Sequence, residues 1–142
     1  MRPPCSVSAS RLARGPRERR WRATIVLRVY HSHLACLFPQ RGPGKKHHRS
    51  IALEGWQQER VRAAPWVFLR GCIRSDGCVF VNRTGRYSYL SYDFKNRSKD
   101  ILDLFEETCQ VVGLSVRRYP GHIRLYRRED VSQLLTHVGI KA

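Results

Sequence analysis

The first 50 residues hold one acidic side chain, Glu18, against 12 Lys and Arg, a local charge of +11. Residues 51–142 carry 15 basic and 10 acidic groups, so most of the net +16 sits in the N-terminal third. So little acid beside so much base points to a polyanionic partner, and nucleic acid is the commonest one. The CxxC spacing is also missing: Cys5, Cys36, Cys72, Cys78 and Cys109 stand singly and in odd number. That pattern argues against a zinc ribbon or a disulfide framework and suits a reducing compartment. No apolar run approaches the roughly 20 residues that cross a bilayer, so no membrane partner is expected. A cytoplasmic, bacterial-type location with nucleoid association in use is expected ahead of an organelle.

What is present falls into two textures. Residues 1–49 scatter Pro, Gly and Arg with little periodicity, and only residues 23–27 read as a strand. Arg outnumbers Lys 22 to 5 across the chain. This basic extension is expected to be poorly ordered or non-native, in preference to an organelle transit peptide. The pairs His31/His33 and His47/His48 lack partner ligands at metal spacing.

Residues 50–142 are expected to form one domain. Residues 54–64 suit a short helix, and Pro65 suits the first turn of a second, where its missing N–H costs nothing. Trp66, Leu69, Cys72 and Ile73 recur at helical spacing and predict one buried face. Gly71 and Ser75, four apart, leave another face nearly flat, the spacing that lets two helix backbones approach. Residues 78–84 and 87–96 read as a hairpin around Thr84-Gly85-Arg86. Ser98 is a good N-cap for a helix through Val112, stopped by Gly113. A second hairpin, 114–119 and 122–127, surrounds Pro120-Gly121, and a last helix spans 129–137 with acids in its first turn. The class is α+β, and the order from Pro65 is αββαββα.

Where the second helix turns directly into a strand there stands one carboxylate, Asp76. Taken alone, Ser75-Asp76-Gly77 is a helix-to-strand turn. The surrounding residues 69–77, LRGCIRSDG, resemble the LAGLIDADG motif of homing endonucleases. FLRG, the pattern Asn96-x-Ser98-x-Asp100-Ile101 and the αββαββα order carry the same resemblance over residues 65–142, and WQQERVRAAPW is similar to a lead-in helix of single-motif members. The resemblance implies a homing-endonuclease-like fold with a saddle-shaped antiparallel sheet, preceded by a short helix. It implies a site-specific, metal-dependent double-stranded DNA endonuclease with Asp76 as the catalytic acid and Mg²⁺ as cofactor, Ser75 standing beside Asp76 at the metal. Since the chain has one motif, it also implies a homodimer, packed through Gly71 and Ser75. Arg70 and Arg74 depart from the motif, and a non-catalytic DNA-binding regulator on the same fold is the alternative.

A two-stranded ribbon fits the major groove, and alternate residues on one face reach bases or phosphate. With Val79 and Val81 inward, Phe80, Asn82 and Thr84 are expected outward. In the second hairpin Ile123 and Leu125 are expected in the core, turning His122, Arg124 and Tyr126 outward together with Arg117 and Tyr119. Arg83 and Arg86, near the first turn, complete the expected DNA-binding set. Arg127 and Arg128, at the last strand-to-helix junction, are expected to stabilise charge developing on phosphate.

Overall fold

The computed structural model describes residues 6–8, 26–28, 30–38, 40 and 42–140. By internal contacts the chain divides into residues 1–41 and 42–142. In the first unit β1 (Ser6–Ser8) pairs antiparallel with β2 (Val26–Arg28), and α1 (Leu34–Leu37) is a single turn. The strand expected over 23–27 coincides with β2 at Val26 and Leu27; residues 23–25 lie outside the described residues. Residues 42–49 group with the second unit: Arg49 donates to the Gly42 carbonyl, and just beyond them the Ile51 N–H donates to Asp100 Oδ2 at 2.6 Å.

The second unit begins with a short 3₁₀ turn (Lys46–His48) and α2 (Gly55–Ala63). The Gln57 side chain accepts the Glu54 N–H at 3.0 Å, satisfying one of the donors that a helix start leaves open. Pro65 cannot continue α2 but suits the first position of α3 (Pro65–Asp76). Leu69 and Ile73 are fully buried from α3, and Trp66, Phe68 and Cys72 pack against them, as the helical spacing predicts. At the end of α3 the chain becomes extended at Gly77, where an added Cβ would lie 2.7 Å from both Ile73 Cα and Ile73 O. Only glycine lets the new strand leave that closely past the last turn of its own helix.

That strand, β3 (Gly77–Thr84), returns as β4 (Tyr87–Lys95) through a two-residue turn. Gly85 has φ +60° and Arg86 does not share the positive φ, the pattern of a type II′ hairpin turn. Next come α4 (Lys99–Val111), β5 (Arg117–Tyr119), β6 (His122–Leu125) and α5 (Arg128–His137). Ser98 caps α4 by accepting the Ile101 N–H. The sheet is antiparallel throughout, in the order β3-β4-β6-β5. The described residues therefore form an α+β structure with four strands in one sheet and five helices, and from Pro65 onward the order is αββαββα.

Register divides the sheet into two faces. Val79, Tyr92 and Leu125 stand in one row and Gly77, Phe94 and Ile123 in the next, all facing α3, α4 and α5. The Phe94 and Phe105 rings stack at 4.3 Å in the centre, with Leu102, Cys109, Val131 and Leu134 closing around them. Arg118 also points to this side and donates to Asp103 and Glu106, each at 2.8 Å, fastening β5 to α4. No helix is long and apolar enough to cross a membrane among the described residues.

One expectation needs correction. Val81 shares the inward phase of Val79, yet it is half exposed, because β6 pairs with β4 only from Tyr92 onward and the hairpin beyond projects past the helices. Arg83, expected among the DNA-binding residues, shares the strand phase of Val81 opposite Ser88 and is exposed on the same projecting ribbon.

Candidate functional site

Asp76 closes α3 at the carbonyl end of the helix, where the macrodipole disfavours a negative charge by a few tenths to ~1 kcal/mol. Its compensation is local: Asn96 Nδ2 donates to Asp76 Oδ2 at 3.2 Å. Asn96 is a junction of three elements. Its backbone N–H donates to Gly121 O at 3.1 Å, its Oδ1 accepts from Ser98 N at 2.9 Å, and its amide reaches Asp76. The end of α3, the start of α4 and the turn between β5 and β6 are thereby held together.

These three ends rim an open cleft of about 1010 Å³. Its walls carry Asp76 and Asn96 beside Lys95, Arg97, Lys99 and His47. Lys95 and Lys99 are both well exposed, and Lys99 also reaches Asp103 at 3.0 Å. His47 has its pKa lowered by burial first, then by the neighbouring His48 and Arg97. Cys72, behind Asp76, is pushed up to about 12 by burial and by the Asp76 charge, so its thiol stays protonated at neutral pH. Anions are what such a cleft attracts.

The sheet face opposite the helices carries a second constellation. Cys78, Asp93, Arg124 and Arg117 stand side by side across all four strands, flanked by a row of Lys95, His122 and Tyr119 and by the pair Phe80 and Ser91. Arg124 lies over the Phe80 and Tyr119 rings at 5.2 and 5.7 Å and donates to Asp93 at 3.4 Å. Arg117 lies over the Tyr126 ring at 5.5 Å, and Tyr119 stacks on His122 at 4.8 Å. Toward the ribbon tip Asn82 donates to the Tyr89 hydroxyl at 3.0 Å, and Thr84, Arg86 and Tyr87 are exposed.

Of the residues singled out from sequence, the fold brings Phe80, Asn82, Thr84, Arg117, Tyr119, His122 and Arg124 onto one face, with Tyr126 just beyond β6. Arg127 and Arg128 are carried away from Asp76. His122 stands level with Lys95 near Asp76, and the run from there to Arg127 covers roughly 16 Å at about 3.3 Å per residue. Arg127 instead donates to Ser115 Oγ at 3.0 Å, and Arg128 opens α5. The Ser75 hydroxyl is turned back along α3, donating to Cys72 O at 2.9 Å. Gly71 is exposed, with nothing within 4 Å of where a Cβ would lie. Among the described residues no three His, Cys, Asp or Glu side chains cluster as a metal site.

Arg70, the first departure from the motif, ties α3 to the end of α5. Its Nε donates to His137 O at 3.1 Å and its Nη2 reaches the same oxygen. The Trp66 ring stacks on His137 at 4.1 Å beside that bond. Lys95, Arg97 and Lys99 were missed from sequence, although the alternation KNRSK at 95–99, across a strand-to-helix junction, was their signal. Asp93 was missed as well, its signal being an acid in the outward phase of β4. No protein family, curated protein or solved structure matches this chain.

Proposed function

We propose that residues 50–142 form a LAGLIDADG-type, site-specific endonuclease that hydrolyses double-stranded DNA as a homodimer with Mg²⁺. The observation that carries this reading is an exposed carboxylate, Asp76, held at the unfavourable end of a helix inside a cleft rimmed by Lys95, Arg97 and Lys99. One hydrogen bond from Asn96 leaves most of that carboxylate exposed, and three cations beside it suit a phosphodiester. The open sheet face, with its arginines and aromatic rings, then meets the duplex on the same side as His122 and Lys95.

The donor set of one chain fits half a metal site. Mg²⁺ keeps several waters and needs only one or two carboxylates, so Asp76 and the partner subunit's Asp76 would suffice to hold it. Held there, Mg²⁺ would supply Lewis acidity and an activated water. Asn96 orients the Asp76 carboxylate, and Lys95, Arg97 and Lys99 neutralise phosphate charge. The exposed strip of α3 that includes Val67 and Gly71 is the surface through which two copies would meet. A specific observation favours the second reading, a non-catalytic DNA-binding regulator on this fold: Arg74, an exposed cation on the last turn of α3, weakens the local negative potential that a metal needs.

The test is cleavage and affinity on a library of palindromic duplexes with Mg²⁺ or Mn²⁺. Wild type cuts a selected duplex, and Asp76→Asn, nearly equal in volume, cuts it at least about a hundredfold more slowly while still binding. A wild-type protein that binds a selected duplex but never nicks it removes the endonuclease and leaves the regulator. Failure to bind any duplex removes both.

A further inference from the structure

The open sheet face holds a pair of groups whose hydrogen bonds are only half made. Asp93 is 3% exposed, and its Oδ2 receives Arg124 Nη2 at 3.4 Å and faces Lys95 Nζ at 3.7 Å. Its other oxygen, Oδ1, is buried with no partner, and so is Arg124 Nε. These two atoms are the second arm of one fork. In a guanidinium Nε–H and Nη2–H project from the same edge, the edge that grips a carboxylate side-on with two parallel bonds. Here one arm is long and the other is open, while both orphaned atoms are shut away from solvent.

The cost of leaving them so has a geometric counterpart. Asp93 sits directly across from Arg124, and the guanidinium is held over the Phe80 and Tyr119 rings. A carboxylate at its side and aromatic rings beneath fix the plane of the group. Its side edge belongs to Asp93, and what remains for a ligand is the end edge, Nη1 with the outer Nη2 hydrogen. A phosphate is held by a mobile cation as well as by a fork, and Lys95 and the ribbon arginines supply mobile cations. A fixed planar fork matches a ligand presenting two coplanar acceptors. In duplex DNA the major-groove edge of guanine, O6 with N7, is that ligand.

We propose that Arg124 reads one guanine in the major groove and that Asp93 is its positioning residue, the two closing into a full side-on fork when the base is engaged. The proposal rests on the DNA-binding reading above. Closing the side-on fork pairs the two orphaned atoms with each other, and it fixes the guanidinium plane that presents the end edge to the two acceptors of the base.

The experiment is selection of bound duplexes from a randomised library by the full chain, followed by salt-dependent affinity on the selected site and on a variant changed at one base pair. Wild type is expected to require one G·C pair per half-site, with at least about a tenfold loss when it is replaced. Arg124→Lys keeps the charge and stem but not the fork. It should abolish that single preference while leaving the salt slope and the other positions unchanged. Asp93→Asn should relax the same position, with circular dichroism reporting the fold independently. If Arg124→Lys keeps the preference, another group reads the base and the proposal is overturned; if Arg124→Ala weakens all sequences equally with a shallower salt slope, Arg124 meets phosphate and the proposal is overturned as well. If wild type enriches no duplex, the DNA reading falls and the fork with it, an outcome distinct from enrichment that Arg124→Lys leaves unaltered.

Discussion

Adding one methyl group at each of two glycines in the motif should move stability in opposite directions. At Gly77 a Cβ would stand 2.7 Å from Ile73 Cα and O and 2.9 Å from Ile73 Cδ1. Carbon contacts settle near 3.5–4.0 Å, so the strand or the last turn of α3 must shift by about 1 Å. Ile73 is fully buried and cannot give way freely. The backbone at Gly77, φ −91° and ψ 162°, is ordinary for any residue, so the penalty of Gly77→Ala is steric. Overpacking of that size costs ~1–3 kcal/mol, offset by roughly 0.4–1 kcal/mol from the stiffer unfolded chain. At Gly71 the same methyl meets nothing within 4 Å, and the residue lies inside α3. Gly71→Ala should therefore stabilise the dilute, monomeric protein by about 1 kcal/mol through helix propensity. Urea unfolding followed by circular dichroism reads both, and each kcal/mol corresponds to roughly 4–8 °C in Tm for a domain near this size. A Gly77→Ala protein as stable as wild type would refute the close-approach account of why this helix ends in glycine.

Other expectations follow from the same geometry. Gly71→Leu, harmless to the monomer because its side chain enters open space, should weaken association by several kcal/mol if α3 is the dimer seam; light scattering that still shows a dimer would locate the interface elsewhere. Asp103 has its carboxyl held below its ordinary 3.8 by the hydrogen bond from Lys99 first, against the opposing effect of burial, with Arg118 lowering it further. A depressed folded pKa contributes stability above the unfolded value and loses it as pH falls through the folded one. Asp103→Asn should therefore flatten the decline in stability below about pH 4, read from urea midpoints across pH. Arg70→Ala removes the donors on the His137 carbonyl at the end of α5 and should cost about 1 kcal/mol; hydrogen exchange should rise in α5 and not in β3. An unchanged exchange pattern would make that bond incidental.

Element identity was legible along most of residues 50–142 because the causes are local. Pro65, Ser98 and Gly85 act on their own backbone, and the 3.6- and 2-residue periods of Leu69/Ile73 and of Ile123/Leu125 record burial one side chain at a time. The open-face set was legible for the same reason, since alternation along β5 and β6 follows from the pleat. Local rules do not state where a sheet stops being covered. Val81 and Arg83 keep the inward phase yet face solvent, because only the β4-β6 register decides how far the helices reach.

The candidate site divides along the same line. The motif brought Asp76 to notice, but the groups around it arrive from distant points of the chain: Asn96 bonds it across 20 positions, and the cleft closes only when the turn at Gly121 folds beside Lys95 and Arg97. Arg127 and Arg128, read from sequence as groups that stabilise charge developing on phosphate, are carried away from that acid by the direction of β6. Asp93, read as nothing in particular, becomes the buried partner of Arg124 through cross-strand pairing. Composition and periodicity by themselves determined a basic chain with an αββαββα domain and a lone acid at a helix end. Which cations meet that acid, and which arginine is fixed and which is free, was decided by strand register, because a register of antiparallel pairs is a relation between segments that neither segment encodes alone.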